Sequence, residues 1–260
     1  MRKDTLLVIP AYNEEMNIEK VLGSLLDEKI DEKMDILVIN DGSRDRTGAL
    51  AKGFEPRVKV IDQLYNMGYG AALQTGYKYA ADNDYSYVLQ MDADGQHDLQ
   101  TLKVIHDRLM GKTECLGLKP KSKAKVEEGR LPDIIIGSRF LEGGKSFKIS
   151  SLKKIAIAVF TAAIRGLTGY RLTDPTSGLQ GLNRKAFTYY AGFSNFDIYY
   201  PDLNMIIQMI FLGCHVEEVP AVMHERMGGV SMHTGLLHSM KYMIVMTVSS
   251  FNAFTRYHKR

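Results

Sequence analysis

The chain of 260 residues has little of what marks several classes of protein. Its two cysteines, Cys115 and Cys214, lie far apart without CxxC spacing, so neither a cysteine zinc site nor a disulfide framework is predicted. Tryptophan is absent, and no apolar run approaches the roughly 18 residues of a membrane-spanning helix. The formal charge of +3 is too small to indicate a nucleic-acid partner. No signal peptide is recognisable, and a reducing cytoplasmic compartment is expected.

Short apolar runs of strand length alternate with segments of helical periodicity in the first part of the chain. Apolar residues make up 45% of the sequence and charged residues 24%, which is typical of a globular protein with a sizeable core. The predicted strands are Thr5–Ile9, Asp35–Ile39, Val58–Ile61 and the run that starts at Tyr87. This alternation predicts an α/β fold, with a Rossmann-like, mostly parallel sheet flanked by helices.

The rest of the chain alternates less regularly. Further strands are predicted at Asp133–Gly137, within Arg171–Arg184 and at His215–Val219. Further helices are predicted at Leu99–Met110, Leu152–Leu167, Asp202–Leu212 and Thr234–Tyr257. The second and the last of these helices are amphipathic with basic flanks. That pattern suits either packing on the core or a position at a membrane surface.

Residues 111–132 interrupt the pattern with a charged segment that includes K-P-K-S-K-A-K-V-E-E-G-R. We interpret it as a mobile insertion, with a basic arm on anionic lipid headgroups as the alternative. The expected organisation is one domain at residues 1–233, followed by a C-terminal amphipathic helix at 234–260. That helix either packs on the domain or lies at the membrane surface.

The stretch from Tyr87 to Asp98, Y-V-L-Q-M-D-A-D-G-Q-H-D, has the pattern of a buried strand with acids at its carboxyl end. Asp92 and Asp94 can converge on one point across a bend at Gly95. Two carboxylates held together repel each other unless a cation or a proton lies between them. A hard divalent ion, Mg²⁺ or Mn²⁺, bridging to a diphosphate answers that requirement. The alternative is a solvated polar turn.

Polar residues follow three other predicted strands as well. Pro10–Glu14, Asp41 and Gly68–Gly70 each come where a strand has ended. Ligands bind parallel sheets at the carboxyl ends of the strands, so these groups and the two acids predict one site. The glycines would let the backbone approach a ligand closely. A dinucleotide fingerprint is incomplete here, because Leu73 occupies its last glycine position.

Six motifs together resemble those of family-2 inverting glycosyltransferases. They are V-I-P-A-Y-N-E-E, V-I-N-D-G-S-R-D-R-T, M-D-A-D-G-Q-H-D, I-I-G-S-R-F, D-P-T-S-G-L and E-R-M-G-G-V-S, spread from about Leu6 to Ser231. They are most similar to the branch that includes dolichol-phosphate mannosyltransferases. The resemblance implies a GT-A fold, a nucleotide-diphosphate sugar donor, a Mg²⁺ or Mn²⁺ ion and, in this branch, a polyprenyl phosphate acceptor.

The resemblance also assigns roles to individual residues. Those implied to bind the nucleotide sugar are Pro10, Tyr12, Glu14, Asp41, Gly68, Gly70, Asp92, Gln96 and Ser231. Those implied to hold the metal are Asp92, Asp94 and Gln96. Those implied to act in catalysis or on the acceptor are Asp94, Arg139, Asp174, Asp202 and Arg226.

Several of these residues keep a second interpretation. Asp41 could instead cap the helix near Asp45, and Asp202 could cap the helix that follows it, since aspartate is a favoured N-cap. As a base, Asp202 is needed only for a hydroxyl acceptor. His97 is either a partner behind the metal ligands or a solvated turn histidine. Asn13 is expected to cap the first helix.

The expected function is transfer of a sugar, from a UDP-sugar or alternatively from GDP-mannose, to a polyprenyl phosphate. Transfer to a sugar or other hydroxyl acceptor is the alternative. A processive polysaccharide synthase is disfavoured, because it needs a Q-x-x-R-W motif and membrane spans, whereas this sequence has no tryptophan and no predicted span. A binding module without turnover conflicts with the intact metal motif. A sugar nucleotidyltransferase would carry a glycine-rich arginine loop after the first strand, where this sequence has P-A-Y-N-E-E instead. The expected location is peripheral, at the inner face of the plasma membrane.

Overall fold

The computed structural model describes residues 3–112, 130–145, 151–226, 228 and 236–257. Most of the predicted insertion at 111–132 therefore lies outside the described residues, as do Ser231 and the predicted domain boundary at 233. For residues 151–156 and 236–244, the structure describes the helical backbone only.

A mixed sheet forms the centre of the described chain. Its strands are β1 (Thr5–Ala11), β2 (Asp35–Asn40), β3 (Val58–Asp62), β4 (Tyr87–Gln90), β5 (Ile134–Ser138), β6 (Gln180–Asn183) and β7 (Val216–Pro220). Their order in the sheet is β3-β2-β1-β4-β6-β5-β7. All neighbours are parallel except that β6 runs antiparallel to both β4 and β5. The predicted mostly parallel α/β sheet is confirmed.

Helices connect the strands and cover both faces of the sheet. They are α1 (Ile18–Asp27), α2 (Ile30–Lys33), α3 (Thr47–Lys52), α4 (Tyr69–Asp82), α5 (Leu99–Leu109), α6 (Ser151–Thr168), α7 (Arg184–Ala191), α8 (Leu203–Phe211) and α9 (Leu236–Tyr257). The short helices α2 and α7 were not predicted. Helix α7 is capped by the Asn183 side chain, which accepts from the Ala186 N–H at 3.0 Å.

Asn13 does not cap the first helix, contrary to prediction. Helix α1 begins at Ile18, and Asn17 holds the N-cap position. Asn13 has a left-handed backbone (φ 54°), and its side chain accepts from the Arg44 N–H at 2.9 Å. Because Asn13 bonds to the loop after β2, the two strand ends are tied together before the helix begins.

The core has two halves, one on each face of the sheet. Successive side chains of β1 alternate between them: Leu6 and Val8 pack with α4 and α7, while Leu7 and Ile9 pack with α1 and α5. All seven residues of β1 are buried. A strand covered on both faces reads as a continuous apolar run, which explains why β1 shows no alternation in sequence.

Helices α6 and α9 each have one buried and one exposed side. On α9, Met246, Ala253 and Tyr257 are buried, whereas Phe251 is 64% exposed. On α6, Phe160 and Ile164 are buried and Val159 is half-exposed. Among the described residues, no helix combines the length and apolar content that crossing a membrane requires.

Strand β7 buries an acid, Glu218, which is 6% exposed. Its carboxylate accepts from the backbone N–H groups of Thr173 and Asp174, at 2.8 Å and 2.7 Å, and from the Thr173 hydroxyl at 3.0 Å. Burial raises the pKa of Glu218 from 4.5 to about 7, although these hydrogen bonds oppose the rise.

Replacement of Phe187 tests the half of the core that lies under α7. Phe187 is fully buried, so Phe187→Ala is expected to lower the free energy of unfolding by about 3–5 kcal/mol, through lost transfer energy and a cavity. Phe193 is 90% exposed, and Phe193→Ala is expected to change the free energy of unfolding by less than about 0.5 kcal/mol. Urea unfolding of both variants measures the difference. Equal losses would contradict this assignment of the core.

The buried acid on β7 makes stability depend on pH. Between pH 4.5 and about pH 7, folded Glu218 keeps a proton that the unfolded chain has released. The free energy of unfolding of the wild type should therefore fall with rising pH across this window, relative to Glu218→Gln, by roughly 3 kcal/mol. Urea unfolding of both proteins at several pH values measures that difference. Parallel curves would show that the carboxyl titrates normally.

Candidate active site

The predicted residues Pro10–Glu14, Asp41 and Asp92–Gln96 lie at or just beyond the ends of β1, β2 and β4. These strands are parallel neighbours, and register pairs Ala11 of β1 with Asn40 of β2 and Val8 of β1 with Gln90 of β4. Their carboxyl ends therefore meet at one edge of the sheet. Pro10 is buried within β1, and Tyr12, just beyond the strand, is 38% exposed.

Asp92 is held by its neighbours from three sides. The Tyr69 hydroxyl donates to its Oδ1 at 2.9 Å, and His97 Nε2 lies 3.2 Å from its Oδ2. A Cβ at Gly178 would lie 2.6 Å from Oδ2, so only glycine leaves room for the carboxylate. Burial alone would raise the pKa of Asp92, but the hydrogen bonds from His97 and Tyr69 outweigh burial and lower it.

His97 is a partner of Asp92 rather than a solvated turn residue. Its side chain is 1% exposed. Within the described chain, its Nδ1 has no hydrogen-bond partner. The backbone of His97 forms an isolated bridge with Met223, which joins the acidic turn to the segment after β7.

Asp94 is the acid of the pair whose charge is poorly compensated. It is 8% exposed and accepts from the Gln96 N–H at 3.0 Å. Burial and the negative charge of Asp92 raise the pKa of Asp94. Arg226 Nη1 lies 4.0 Å from Asp94 Oδ2, which is the limit of an ion pair. The two acids thus form a site of excess negative charge.

The donor set fits a hard divalent cation shared with a ligand. Among the described residues, no group of three or more His, Cys, Asp or Glu side chains could by itself hold a metal. Two carboxylates leave most of the coordination positions of Mg²⁺ or Mn²⁺ to water and phosphate oxygens, which is how nucleotide-bound Mg²⁺ is usually held. The Gln96 amide donates to the His224 carbonyl at 3.2 Å, and its role as a third ligand stays a prediction.

Arg226 joins the segment after β7 to the turn after β1. Its guanidinium pairs with the Glu14 carboxylate, and its Nε donates to the Gly228 carbonyl at 2.8 Å. Asn17 donates to both Glu14 and Gly228, at 2.6 Å and 3.2 Å. Glu14 was predicted to hold the nucleoside; in this structure one of its oxygens is engaged by Arg226. The pair places a cation between the predicted nucleoside position and the acids.

The Asp41 carboxylate holds the loop between β3 and α4. Asp41 is 2% exposed, and its oxygens accept from the N–H groups of Met67 and Gly68, at 2.8 Å and 2.9 Å, and from the Asn66 amide at 3.0 Å. Burial raises its pKa despite these bonds. The helix-cap alternative is wrong, because α3 begins at Thr47 and Asp45 accepts from the Thr47 N–H at 2.9 Å.

Gly68 and Gly70 face the chain itself rather than open space. A Cβ at Gly70 would lie 2.7 Å from the Ile198 carbonyl oxygen, and one at Gly68 would lie 3.4 Å from it. Gly68 also has φ +100°, which favours glycine. The group that these glycines let approach is the loop at 197–198, and their predicted contact with a ligand stays a prediction.

Arg139 and Asp174 form one unit. Arg139 Nε and Nη2 donate to Asp174 Oδ2 and Oδ1 at 2.6 Å and 2.7 Å, and the Arg139 N–H donates to Oδ2 at 3.1 Å. Asp174 is fully buried, whereas the Arg139 side chain is 13% exposed. The expectation that Asp174 acts on the acceptor is corrected: the carboxylate lies behind Arg139 and fixes its guanidinium.

Asp202 directly precedes α8 and lies near Tyr69. It holds the N-cap position of α8, yet its side chain makes no capping hydrogen bond, so the cap alternative is not supported. Its charge helps to raise the pKa of Tyr69, after the larger effects of burial and of Asp92. Asp202 is therefore close to the Tyr69–Asp92 pair, and its role as a base stays a prediction.

Sequence reasoning missed Tyr69 and Glu218. Tyr69 was read only as part of a glycine-rich turn. Glu218 is one of two adjacent acids in H-V-E-E-V, and adjacent side chains of a strand point to opposite faces of the sheet. If both faces are covered, each face must bury one of the two acids. That pattern was a usable signal, because a buried carboxylate needs dedicated partners.

Comparison with known proteins places this geometry in a family. The sequence profile described as Glycosyl transferase family 2 matches residues 6–190. A polyprenol monophosphomannose synthase of Mycolicibacterium smegmatis is 30% identical, over 89% of this chain and 81% of that protein. An undecaprenyl-phosphate mannosyltransferase of Micrococcus luteus is 29% identical, over 88% of this chain and 87% of that protein.

A solved structure has the same fold. Glucosyl-3-phosphoglycerate synthase from Mycobacterium tuberculosis, in complex with Mn²⁺, UDP-glucose and phosphoglyceric acid, superposes with a TM-score of 0.69. It is 16% identical, and the match covers 97% of this chain and 80% of that one. The predicted GT-A fold is confirmed. On the family profile and the two relatives, the chain belongs to glycosyl transferase family 2 and is a glycosyltransferase.

Proposed function

We propose that the chain transfers a sugar from a nucleotide-diphosphate sugar to a polyprenyl phosphate, with inversion and with the help of Mg²⁺ or Mn²⁺. The observation that carries the proposal is the under-compensated pair of acids, Asp92 and Asp94, beside Arg226 at the carboxyl edge of the sheet. Both relatives described above are named for a polyprenyl-type phosphate, which supports the acceptor class.

The donor would lie along the ends of β1 and β2. Pro10, Tyr12 and the loop that Asp41 supports would face the nucleoside, and the diphosphate would extend toward Asp92 and Asp94. UDP is the favoured nucleotide, and the UDP-glucose complex of the structural neighbour agrees with it. GDP-mannose is the alternative, which the mannose in the names of both relatives supports.

The reaction is a single displacement at the anomeric carbon. An acceptor phosphate oxygen forms the new bond as the bond to the nucleoside diphosphate breaks, and this inverts the configuration. A bound Mg²⁺ or Mn²⁺ would neutralise charge on the leaving diphosphate, with Asp92, Asp94 and, as predicted, Gln96 as its protein ligands. Arg226 would add a second positive charge once the diphosphate competes with Glu14 for its guanidinium. Ser231 remains a predicted contact.

The acceptor would be held by Arg139. A phosphate is already anionic near neutral pH, so its attack needs no general base. The two hydrogen bonds from Arg139 to Asp174 fix the plane of the guanidinium, and 13% of the Arg139 side chain is exposed. Transfer to a hydroxyl is the second candidate. The position of Asp202 near Tyr69 favours it, because a hydroxyl would need a base there.

A lipid acceptor implies that the protein works at a membrane surface. We propose a peripheral position at the inner face of the plasma membrane, with α6 and α9 as the contacting helices. The exposed apolar side chains of Val159 on α6 and of Val248 and Phe251 on α9 support this position.

Removal of one acid tests the metal role. Asp94→Asn keeps the shape of the side chain but removes its charge, so sugar transfer should fall by at least about 100-fold, with the folded state intact. Calorimetric titration of UDP and GDP, with and without Mn²⁺, should show that Mn²⁺ tightens nucleotide binding to the wild type only. Asp107→Asn, at the far end of α5, is the control. Near-normal activity of Asp94→Asn would refute the metal role.

Vesicle binding tests the membrane position. The wild type should co-sediment with anionic vesicles at low salt, and Phe251→Glu should weaken this binding by about tenfold, because a charge replaces an apolar contact. Leu64→Glu is the matched control, since Leu64 is 97% exposed and lies between β3 and α4, outside the two helices proposed to contact the membrane. If the wild type does not bind such vesicles, the interface proposal fails.

The two candidate acceptors are separated by supplying each with the same donor. Polyprenyl phosphate in detergent should accept sugar, and free sugars should not. Transfer to free sugars alone would favour the hydroxyl alternative.

A further inference from the structure

The loop between α6 and β6 is fixed by an acid from a neighbouring strand. Glu218 of β7 accepts three hydrogen bonds from this loop: from the N–H groups of Thr173 and Asp174 and from the Thr173 hydroxyl. The Thr173 hydroxyl also lies 2.6 Å from the Ser138 hydroxyl at the end of β5. The first residues of the loop are thereby tied to two strands at once.

The same loop residues orient Arg139. The Asp174 N–H donates to Glu218 at 2.7 Å, and the Asp174 carboxylate accepts from the Arg139 guanidinium at 2.6 Å and 2.7 Å. Any shift of the Asp174 backbone would move the carboxylate that sets the direction of the guanidinium. The path from Glu218 to Arg139 therefore contains one intervening residue.

The sheet brings both ends of this path together. Strands β5 and β7 are parallel neighbours, and Ile136 pairs with Glu218 while Ser138 pairs with Pro220. Arg139 follows β5 directly. Glu218 is 6% exposed and buried behind the loop, so it does not reach a bound substrate. Its influence on the site can only pass through the residues that it holds.

We propose that Glu218 is a positioning residue of the transfer reaction, which acts through Thr173 and Asp174 to aim Arg139 at the acceptor phosphate. This inference rests on the proposed function, in which Arg139 contacts that phosphate. The exact position of the Arg139 guanidinium matters, because a misplacement of about 1 Å can cost a reaction on the order of 100-fold.

The charge of Glu218 gives this role a signature. Burial raises its pKa to about 7, and the nearby Asp174 carboxylate, itself paired with Arg139, adds to the rise. As a carboxylate, Glu218 accepts from all three donors. A proton on it would compete with those donors and loosen the loop. Acceptor-dependent turnover is therefore expected to fall as pH drops through about 7.

The test is the pH profile of Glu218→Gln. Glutamine keeps the shape and one acceptor oxygen but carries no charge and does not titrate. We expect kcat for transfer to polyprenyl phosphate to fall about tenfold or more at pH 8, and the acid limb near pH 7 to disappear. The KM for the nucleotide sugar should stay within about twofold, because the donor contacts lie at the other strand ends.

Glu217→Gln is the matched control. Glu217 is adjacent, 5% exposed and turned to the other face of the sheet, where Arg108 binds it through two N–H groups at 2.8 Å. It should lower stability and leave the pH profile unchanged. Thr173→Val removes one hydrogen bond to Glu218 and the contact with the Ser138 hydroxyl, and it should move kcat in the same direction as Glu218→Gln, by less. If Glu218→Gln does not fold, the kcat of Thr173→Val tests the inference instead.

The outcomes separate the two proposals. If the wild type transfers sugar and Glu218→Gln matches it in kcat, acceptor KM and pH profile, the inference fails and the proposed function stands. The inference also fails if Glu217→Gln removes the acid limb equally. If the wild type transfers no sugar to polyprenyl phosphate, the proposed function fails and the inference falls with it.

Discussion

Two acids at the end of β4 impose the main electrostatic constraint on this molecule. Asp92 and Asp94 are close enough that the charge of the first raises the pKa of the second. The folded chain keeps both partly buried and offers Arg226 only at 4.0 Å. Burial of carboxylates whose negative charge is only partly compensated is costly unless a ligand supplies the missing positive charge. The surrounding loops hold this arrangement: Tyr69 and His97 bind Asp92, and the Gln96 N–H binds Asp94.

Two of the groups with a proposed role, Asp92 and Arg139, are held by buried or half-buried partners that have no proposed contact with the donor or the acceptor. Tyr69 and His97 hold Asp92, Asp174 holds Arg139, and Glu218 in turn holds Asp174. Such buried polar partners restrict the rotamers of the groups that they bind, and preorganisation of this kind lets charges act without reorganisation during the reaction.

The segment after β7 links regions that are far apart in sequence. Arg226 reaches Glu14, and His97 pairs with Met223 through the backbone. The acidic turn, the predicted nucleoside position and the C-terminal part of the described chain therefore form one connected surface. A ligand that displaced Glu14 from Arg226 would change contacts on both sides of the site. This connection gives a physical reason for the sugar-transfer motifs to span nearly the whole chain.

The strands and the meeting of their polar ends were predictable from the sequence, because burial on two faces demands apolar runs and parallel strands bring their carboxyl ends together. Local patterns could not reveal partners. Asp174 was expected to face the acceptor, and its burial behind Arg139 became visible only when β5 and the 173–176 loop were brought side by side. Gly68 and Gly70 were expected to face a ligand, yet their neighbour is the loop at 197–198.

The sequence by itself determined the fold class, the family resemblance and the set of acids and arginines, because these depend on residue types at short spacing. Tertiary structure alone decided which residue supports which: Glu218 under Asp174, Tyr69 on Asp92 and Glu14 on Arg226. These pairs are separated by 44, 23 and 212 positions along the chain. At such separations no local pattern specifies a contact, and only the packing of strands and loops sets the distance.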